Sequence, residues 1–255
     1  MFVFLESFLN TSVYFVLFLL ALSPLERVFP IHNQHFFRKE YFTDLIFFFA
    51  GNVLWAHLTL QVLKSLSFYY DENWFIDISH WHIALQVFTA LFLCDLSIYW
   101  AHRLSHKIDF LWRFHKVHHS AESLDWLAAY REHPLDNIYT RVIENLPFLV
   151  LGVSLDTIAS FVLFRGLWGN FIHSNSKFSM GPLKYILGSP RLHHWHHDIE
   201  KNGSVNFANL MPIMDVLFGT FHDPKSFPEK YGIKNQKKLN YFQHIFNPFL
   251  PSQKG

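Results

Sequence analysis

Four long apolar stretches are the feature that most limits what this chain of 255 residues can fold into. They cover residues 9–23, which end at Pro24, then 44–63, 83–100 and about 30 residues between 142 and 171. At about 1.5 Å per residue, one straight helix as long as the fourth stretch would exceed a hydrocarbon core of about 30 Å. We therefore expect a hairpin there, re-entrant or fully spanning. The pattern predicts an all-α integral-membrane bundle with about four to five membrane helices.

Composition agrees with a membrane protein and excludes several other classes. Apolar residues make up 51% of the chain and charged residues 16%, whereas charged residues are roughly 25% of a typical soluble domain. The net charge of +1 gives no reason to expect a nucleic-acid partner. A single cysteine, Cys94, excludes an internal disulfide framework, and its apolar surroundings predict a buried thiol.

The distribution of lysine and arginine orients the chain, because loops rich in these residues stay on the cytoplasmic side of a membrane. Loop 64–82 carries Asp71, Glu72 and Asp77, with Lys64 as its one basic residue. The basic residues instead follow the first and third stretches: Arg27, Arg38, Lys39, Arg103, Lys107, Arg113, Lys116, Arg131 and Arg141. We therefore expect the N-terminus outside and the C-terminus inside, with every histidine motif on the cytoplasmic side.

Three histidine clusters follow the third and fourth stretches, and they hold many of the eighteen histidines. Their members are His102 and His106; His115, His118 and His119; and His193, His194, His196 and His197. At these spacings the imidazoles share helical faces, and adjacent ones point in different directions, so they suit two ions rather than one. Neutral imidazole binds iron, copper, zinc and nickel. We interpret lone histidines such as His57 and His80 as polar groups at the membrane interface.

Several metal-site classes do not fit this pattern. The chain has no cysteine-containing zinc pattern, no H-E-x-x-H motif and no Glu-x-x-His pair of a carboxylate-bridged bundle. A histidine-rich membrane metal-binding or transport protein without oxygenase activity is the alternative, although its ligands should lie at the bilayer midplane. A bis-histidine haem protein is a third class, which adjacent His118 and His119 fit poorly.

The order of the clusters and the residues around them resemble the fatty acid hydroxylase/sterol desaturase superfamily. The resemblance covers about residues 88–220. Its further motifs are Asp95-Leu-Ser-Ile-Tyr-Trp-Ala before the first cluster, Asn206-Phe207-Ala208 after the third, and Asp215-Val-Leu-Phe218-Gly219-Thr220. The resemblance implies a non-haem di-iron centre in a cytoplasmic helical cap, and O2-dependent hydroxylation or desaturation of a C–H bond of a membrane lipid such as a fatty acyl chain or sterol.

The resemblance also implies a set of site residues. The metal ligands are His102, His106, His115, His118, His119, His173, His193, His196 and His197. His173 enters through the match of Phe171-Ile-His173-Ser-Asn175. Asp95 and Asp215 are expected to accept hydrogen bonds from the ring nitrogens of ligands that face away from the metal. Arg165 is expected to pair with Asp95 or Asp156. His194 is either such a supporting group or exposed, and His133 is left outside the ligand set.

The expected cofactors are two iron ions, with O2 as co-substrate. The chain carries no flavin or nicotinamide fingerprint, so a separate electron donor of cytochrome b5, ferredoxin or reductase type is expected. We interpret residues 1–255 as one domain, with N-terminal membrane helices in 1–82, the catalytic core in 83–222 and a C-terminal tail in 223–255. From Lys225 onward the tail is expected to be a loosely packed cap. Within that tail, residues 242–250 are expected to form a short interfacial element.

Overall fold

The first helix, α1 (Phe2–Val28), continues through Pro24 instead of ending there. The computed structural model describes residues 2–68, 76–78, 80–151 and 155–250. Trp126 donates its indole N–H to Ser23, and the backbone N–H groups of Trp126 and Asn175 donate to the carboxylate of Glu26. These tertiary contacts hold the last turn of α1 helical, although proline removes one helical hydrogen bond. Helix α1 therefore extends beyond the apolar stretch that ends at Pro24.

The second apolar stretch forms two helices joined without a loop. Helix α2 (Tyr41–Ala50) passes through a π-helical turn, Gly51–Trp55, into α3 (Ala56–Phe68). The third stretch forms α4 (Ile83–Lys107), which continues past the apolar residues to include the first histidine cluster. Within the described residues, three helices are long and apolar enough to cross a membrane: Phe4–Val28, Tyr41–Leu66 and Ile83–Lys107. They make the chain an integral membrane protein.

The fourth stretch forms two helices, as the length argument predicts. Helix α6 (Pro134–Val150) and helix α7 (Leu155–His173) replace one long helix, and most of the predicted junction lies outside the described residues. Neither helix is among the three that are long and apolar enough to cross a membrane. A total of four to five membrane helices therefore stays a prediction.

Buried charges join the α6–α7 pair to α4. The guanidinium of Arg165 on α7 lies 3.1 Å from the Asp95 carboxylate of α4 and also pairs with Glu144 of α6. The pairing of Arg165 with Asp95 is one of the two alternatives predicted, and the side chain of Asp156 lies outside the described part. Cys94 is buried beside this network, in a cluster that also contains Phe148.

Short helices complete the chain and hold the remaining site residues. They are α5 (Asp109–His119), α8 (Pro190–His196), α9 (Ile213–Leu217) and α10 (Tyr241–Phe246), with 3-10 turns at Ala128–Tyr130, Gly181–Tyr185 and Asn247–Phe249. The part of the chain that is described contains no β-strand.

The C-terminal segment is packed more closely than the sequence suggested. The ring of Tyr241 packs against that of Phe47, with ring centroids 4.8 Å apart. The hydroxyl of Tyr241 accepts a hydrogen bond from the indole N–H of Trp55. Phe249 packs against Phe114 on α5, with ring centroids 5.4 Å apart. Aromatic contacts with α2 and α5 therefore hold parts of residues 241–250, while Phe242 and Phe246 stay exposed. A short interfacial element in this segment stays a prediction.

Candidate metal centre

Four helix ends bring the predicted ligands together. Helix α4 ends with the first cluster, and α5 starts two residues after α4 ends and carries the second. Helix α7 ends at His173, and α8 carries most of the third cluster, with His197 capping its C-terminus. Because α4 and α5 are joined by Ile108 alone, the first two clusters must face each other at a sharp bend.

The nine imidazoles predicted as ligands fall into two groups, each with its ligand nitrogens within 4.8 Å of one another. The first group contains His102, His106, His115, His119 and His196. The second contains His118, His173, His193 and His197. The adjacent pairs His118-His119 and His196-His197 each divide between the groups, as the angular spacing of neighbouring helical residues requires. Every member is buried except His106, which is half-buried.

The nitrogen–nitrogen distances are those of ligands around a shared ion. In the second group, Nε2 of His173 lies 3.0 Å from Nε2 of His118 and 2.9 Å from that of His193. In the first group, the Nε2 atoms of His119 and His196 are 3.1 Å apart. Two ligands at about 2.0–2.1 Å from one metal ion and at right angles are about 2.9 Å apart. The geometry therefore fits one ion in each group.

Hydrogen bonds at the far side of several rings select the ligand nitrogen. Three Nδ1 atoms lie 2.7 Å from backbone carbonyl oxygens: His102 with Phe207, His173 with Gly169 and His196 with Val205. A carbonyl oxygen only accepts, so each Nδ1 carries the proton and donates it. Nε2 is then left with a free lone pair that faces the group, which is the arrangement seen in histidine metal sites.

Asp136 contacts a predicted ligand directly, and sequence reasoning missed it. Its carboxylate accepts a hydrogen bond from Nδ1 of His115 at 2.9 Å, and both side chains are buried. Asp136 lies in the first turn of α6, which begins at Pro134. The signal available in the sequence was an acidic residue in the first turn of a helix that follows the histidine-proline pair His133-Pro134.

Unpartnered nitrogens provide a test of whether metal ions fit. Buried polar atoms normally have a partner, since a buried one without a hydrogen bond is costly. Within the described residues, Nε2 of His102, His106 and His115 has no hydrogen-bond partner. All three belong to the first group, and an ion there would satisfy them together. The residues present therefore fit a bound metal.

The protonation state of the rings also suits metal binding. Burial lowers the pKa of His119 and His197 well below its usual value, and neighbouring imidazoles lower it further. Burial likewise lowers the pKa of His196 to about 3. These three rings are therefore neutral near pH 7, which is the form that binds a metal.

Asp95 and Asp215 act on the segment after the third cluster rather than on an imidazole. Asp215 accepts hydrogen bonds from the backbone N–H groups of Phe207 and Ala208, at 2.7 and 3.0 Å. Asp95 accepts from the backbone of Met211, at 2.8 Å, and of Leu210.

The same segment, residues 205–211, supplies the carbonyl oxygens that hold the rings of His102 and His196. The two carboxylates thus hold the backbone that orients the rings, whereas direct hydrogen bonds to the rings were expected.

The two histidines left open by the sequence both lie outside the groups. His194 is fully buried, so the exposed alternative was wrong. One of its nitrogens lies 2.6 Å from the hydroxyl of Tyr231, and the other donates to the backbone carbonyls of His173 and Ser174. Nε2 of His133 donates to the carbonyl of Ile245 at 3.0 Å, and His133 belongs to neither histidine group.

Three membrane-length apolar helices and two adjoining all-histidine groups define an integral membrane protein with a candidate two-ion centre. The fatty acid hydroxylase family model matches residues 87–220, which is just over half of the chain. The chain belongs to the fatty acid hydroxylase family.

Known relatives share the matched region. The chain is 33% identical over 177 residues to ornithine lipid hydroxylase OlsE of Rhizobium tropici, covering 69% of this chain and 53% of that protein. It is 30% identical over 188 residues to alkylglycerol monooxygenase of Homo sapiens, covering 72% and 39%. It is 28% identical over 174 residues to Delta(7)-sterol-C5(6)-desaturase of Nicotiana tabacum, covering 64% and 61%. The chain thus spans about half the length of these relatives, and no solved structure matches it significantly.

Proposed function

We propose that the chain is an oxygen-dependent di-iron enzyme that hydroxylates a C–H bond of a membrane lipid, with desaturation as the alternative outcome. The observation that carries the proposal is the division of nine histidines into two groups with ligand spacing, at the end of a membrane helix. The names of the relatives support it, since they include a lipid hydroxylase, a monooxygenase and a desaturase. Nothing in the described part of the chain favours a metal transporter.

Iron is the metal that we propose for both groups. All-imidazole groups accept several first-row metals, so the ligands alone do not choose among them. Zinc has no redox chemistry, whereas oxidation of a lipid by O2 needs a redox-active centre. When bound, an iron pair would supply the reduction of O2 and the attack on an unactivated C–H bond.

The protein's own part is to orient the ligands and keep water out. The carbonyl oxygens of Val205 and Phe207 hold protons on Nδ1 of His196 and His102, and so direct both Nε2 atoms inward. The carboxylate of Asp136 does the same for His115 and makes that ring a stronger donor. Burial of the groups excludes bulk water, so side reactions with solvent are suppressed.

The substrate and the side of the membrane belong to the same proposal. The histidine groups follow directly on α4, a membrane-length helix, so the proposed substrate is a lipid that reaches them from the bilayer, such as a fatty acyl chain or sterol. From the distribution of lysine and arginine, we place the site on the cytoplasmic side. In this scheme residues 1–82 are membrane helices, residues 83–222 are the catalytic core, and electrons come from a separate donor.

Product analysis tests the proposal. The full chain is purified with iron, reconstituted with extracted membrane lipids, and given ¹⁸O₂ and a chemical reductant. We expect mass spectrometry to find a lipid that has gained one labelled oxygen atom, or has lost two hydrogens if the enzyme desaturates. We expect His118→Ala to abolish the product while the protein still inserts into membranes, and the exposed His35→Ala to retain it. A protein that binds only zinc and consumes no O2 would contradict the proposal.

A further inference from the structure

We propose that Trp112 and the basic side chains around it form the docking surface for an acidic one-electron carrier protein, and that Trp112 is the point where electrons enter the metal centre. The inference rests on the proposed function, because an oxygenase of this kind takes electrons from outside its own chain. It adds where the carrier binds and which residue connects it to the ligands.

Trp112 is in contact with the first histidine group and also reaches the surface. Its ring centroid lies 5.0 Å from that of His106 and 5.6 Å from that of His119. Trp112 is half-buried, and His106 is the one half-buried member among the nine predicted ligands. A conjugated ring in van der Waals contact with two ligand imidazoles therefore connects this surface to the buried group.

Basic side chains surround this entry point. Lys116 follows Trp112 by one helical turn and lies on the same face of α5. Lys107 directly follows His106 at the end of α4. Lys201 lies two residues before Gly203, whose backbone lies directly against the His106 ring. We call Lys107, Arg113, Lys116 and Lys201 the basic patch.

The charge of the basic patch is largely uncompensated. Across the described residues, none of its four side chains forms an ion pair. Asp109 is the single acidic residue on α5. A surface with an excess of one sign attracts partners of the opposite sign and speeds their diffusional encounter. The chemistry of the patch thus fits an acidic protein.

The position of the patch favours a redox carrier over an anionic lipid headgroup. A headgroup would need only the charges, whereas this patch surrounds the place where an aromatic ring touches two predicted ligands. Electron transfer weakens steeply with distance, so a carrier gains by docking where the route to the metal is shortest. Carrier encounters are also brief and small in area, which suits a few charges around one ring.

The electron balance of each encounter is simple. A reduced carrier loses one electron and leaves oxidised, and the oxidised metal centre gains that electron. Two successive encounters deliver the two electrons that one hydroxylation takes from the carrier, with protons supplied by water. No bond forms between the two proteins.

Binding of a plant-type [2Fe–2S] ferredoxin, an acidic one-electron carrier, tests the surface without relying on lipid oxidation. The full chain is held in uncharged detergent, and the association rate is measured at increasing ionic strength. We expect the rate to fall steeply with salt, and Lys107→Glu with Lys116→Glu to lower it by about tenfold or more at low salt. The matched control is Lys225→Glu with Lys237→Glu, two exposed lysines of the C-terminal segment, which should change little.

A second variant separates docking from electron entry. At saturating ferredoxin, where any loss of docking affinity is overcome, Trp112→Leu should slow reduction of the metal centre by ferredoxin at least tenfold. It should leave the metal content and the reduction by dithionite unaffected. Dithionite is small and needs no docking surface. An effect of equal size with both reductants would mean that Trp112 merely supports the ligands, and would overturn its assigned role.

Three further results would overturn the docking surface. The first is wild-type protein that does not bind ferredoxin, and the second is equal loss of binding in the patch and control variants. The third is an effect of the patch variants that appears only in membranes containing anionic lipid, which would assign the patch to headgroups. None of these results bears on whether the chain oxidises a lipid with a chemical reductant, so the proposed function is judged separately.

Discussion

The carboxylate of Asp136 lies 2.9 Å from Nδ1 of His115, with both side chains buried. Among the nine predicted ligands, His115 is the one whose ring is oriented by a charged side chain rather than a backbone carbonyl in the described contacts. Helix α6 is therefore tied to the first histidine group, and not only to the membrane part of the fold.

Replacing Asp136 tests that relationship. We expect Asp136→Ala to weaken metal binding at the first group by about 10–100-fold, because the ring loses the partner that fixes its proton on Nδ1. Asp136→Asn keeps an acceptor oxygen and should lose less. Metal titrations of both variants provide the measurement, and unchanged affinity in Asp136→Ala would exclude an orienting role.

Gly203 offers a second test, because its backbone lies against the ring of His106. Its φ is +65°, and a Cβ added there would lie 2.0 Å from Cε1 of His106. Gly203→Ala should displace that imidazole and reduce metal occupancy of the first group. Gly219 has φ +72° with nothing within 4 Å of an added Cβ, so Gly219→Ala imposes similar backbone strain without the clash. Equal metal content in the two variants would contradict the account.

Arg165 is expected to matter for stability more than for chemistry. Its replacement by methionine leaves the carboxylates of Asp95 and Glu144 buried beside an uncharged side chain. Loss of one partner from a buried ion pair typically costs about 3–5 kcal/mol. Arg141, whose side chain is 32% exposed and which also pairs with Glu144, is the matched control and should cost less. Thermal unfolding in detergent measures both, and equal losses would be evidence against the buried network.

His244 predicts a pH dependence of stability. Burial, reinforced by the nearby charge of Arg131, lowers the pKa of His244 to about 4 in the folded protein, whereas an unfolded histidine has a pKa of about 6.5. The unfolded chain therefore binds a proton at higher pH than the folded one, and stability is lost as pH falls from about 6.5 towards 4. His244→Gln should flatten this decline. A melting temperature whose pH dependence is the same in both proteins would contradict the assignment.

The sequence predicted which imidazoles come together, because helical spacing alone determines which of them share a face. His102 and His106, or His115 and His119, lie one turn apart and must point to the same side. The resemblance then added His173, which no local spacing identifies. The membrane helices were likewise predictable from uninterrupted apolar residues, although their ends were not.

What could not be predicted depends on contacts between residues distant in sequence. Asp136 meets His115 only after α6 packs against α5, and Gly203 meets His106 only after the loop beyond α8 folds back. The continuation of α1 through Pro24 depends on hydrogen bonds to Trp126 and Asn175. Local propensity contains none of this information, so each was a finding of the structure.

Metal analysis of the purified full chain tests the central claim most directly. The account predicts two iron ions per chain without haem absorption, and the loss of a single ion in each of two variants, His106→Ala in the first group and His197→Ala in the second. One ion per chain, zinc alone, or the loss of both ions in each variant would contradict two separate histidine sites.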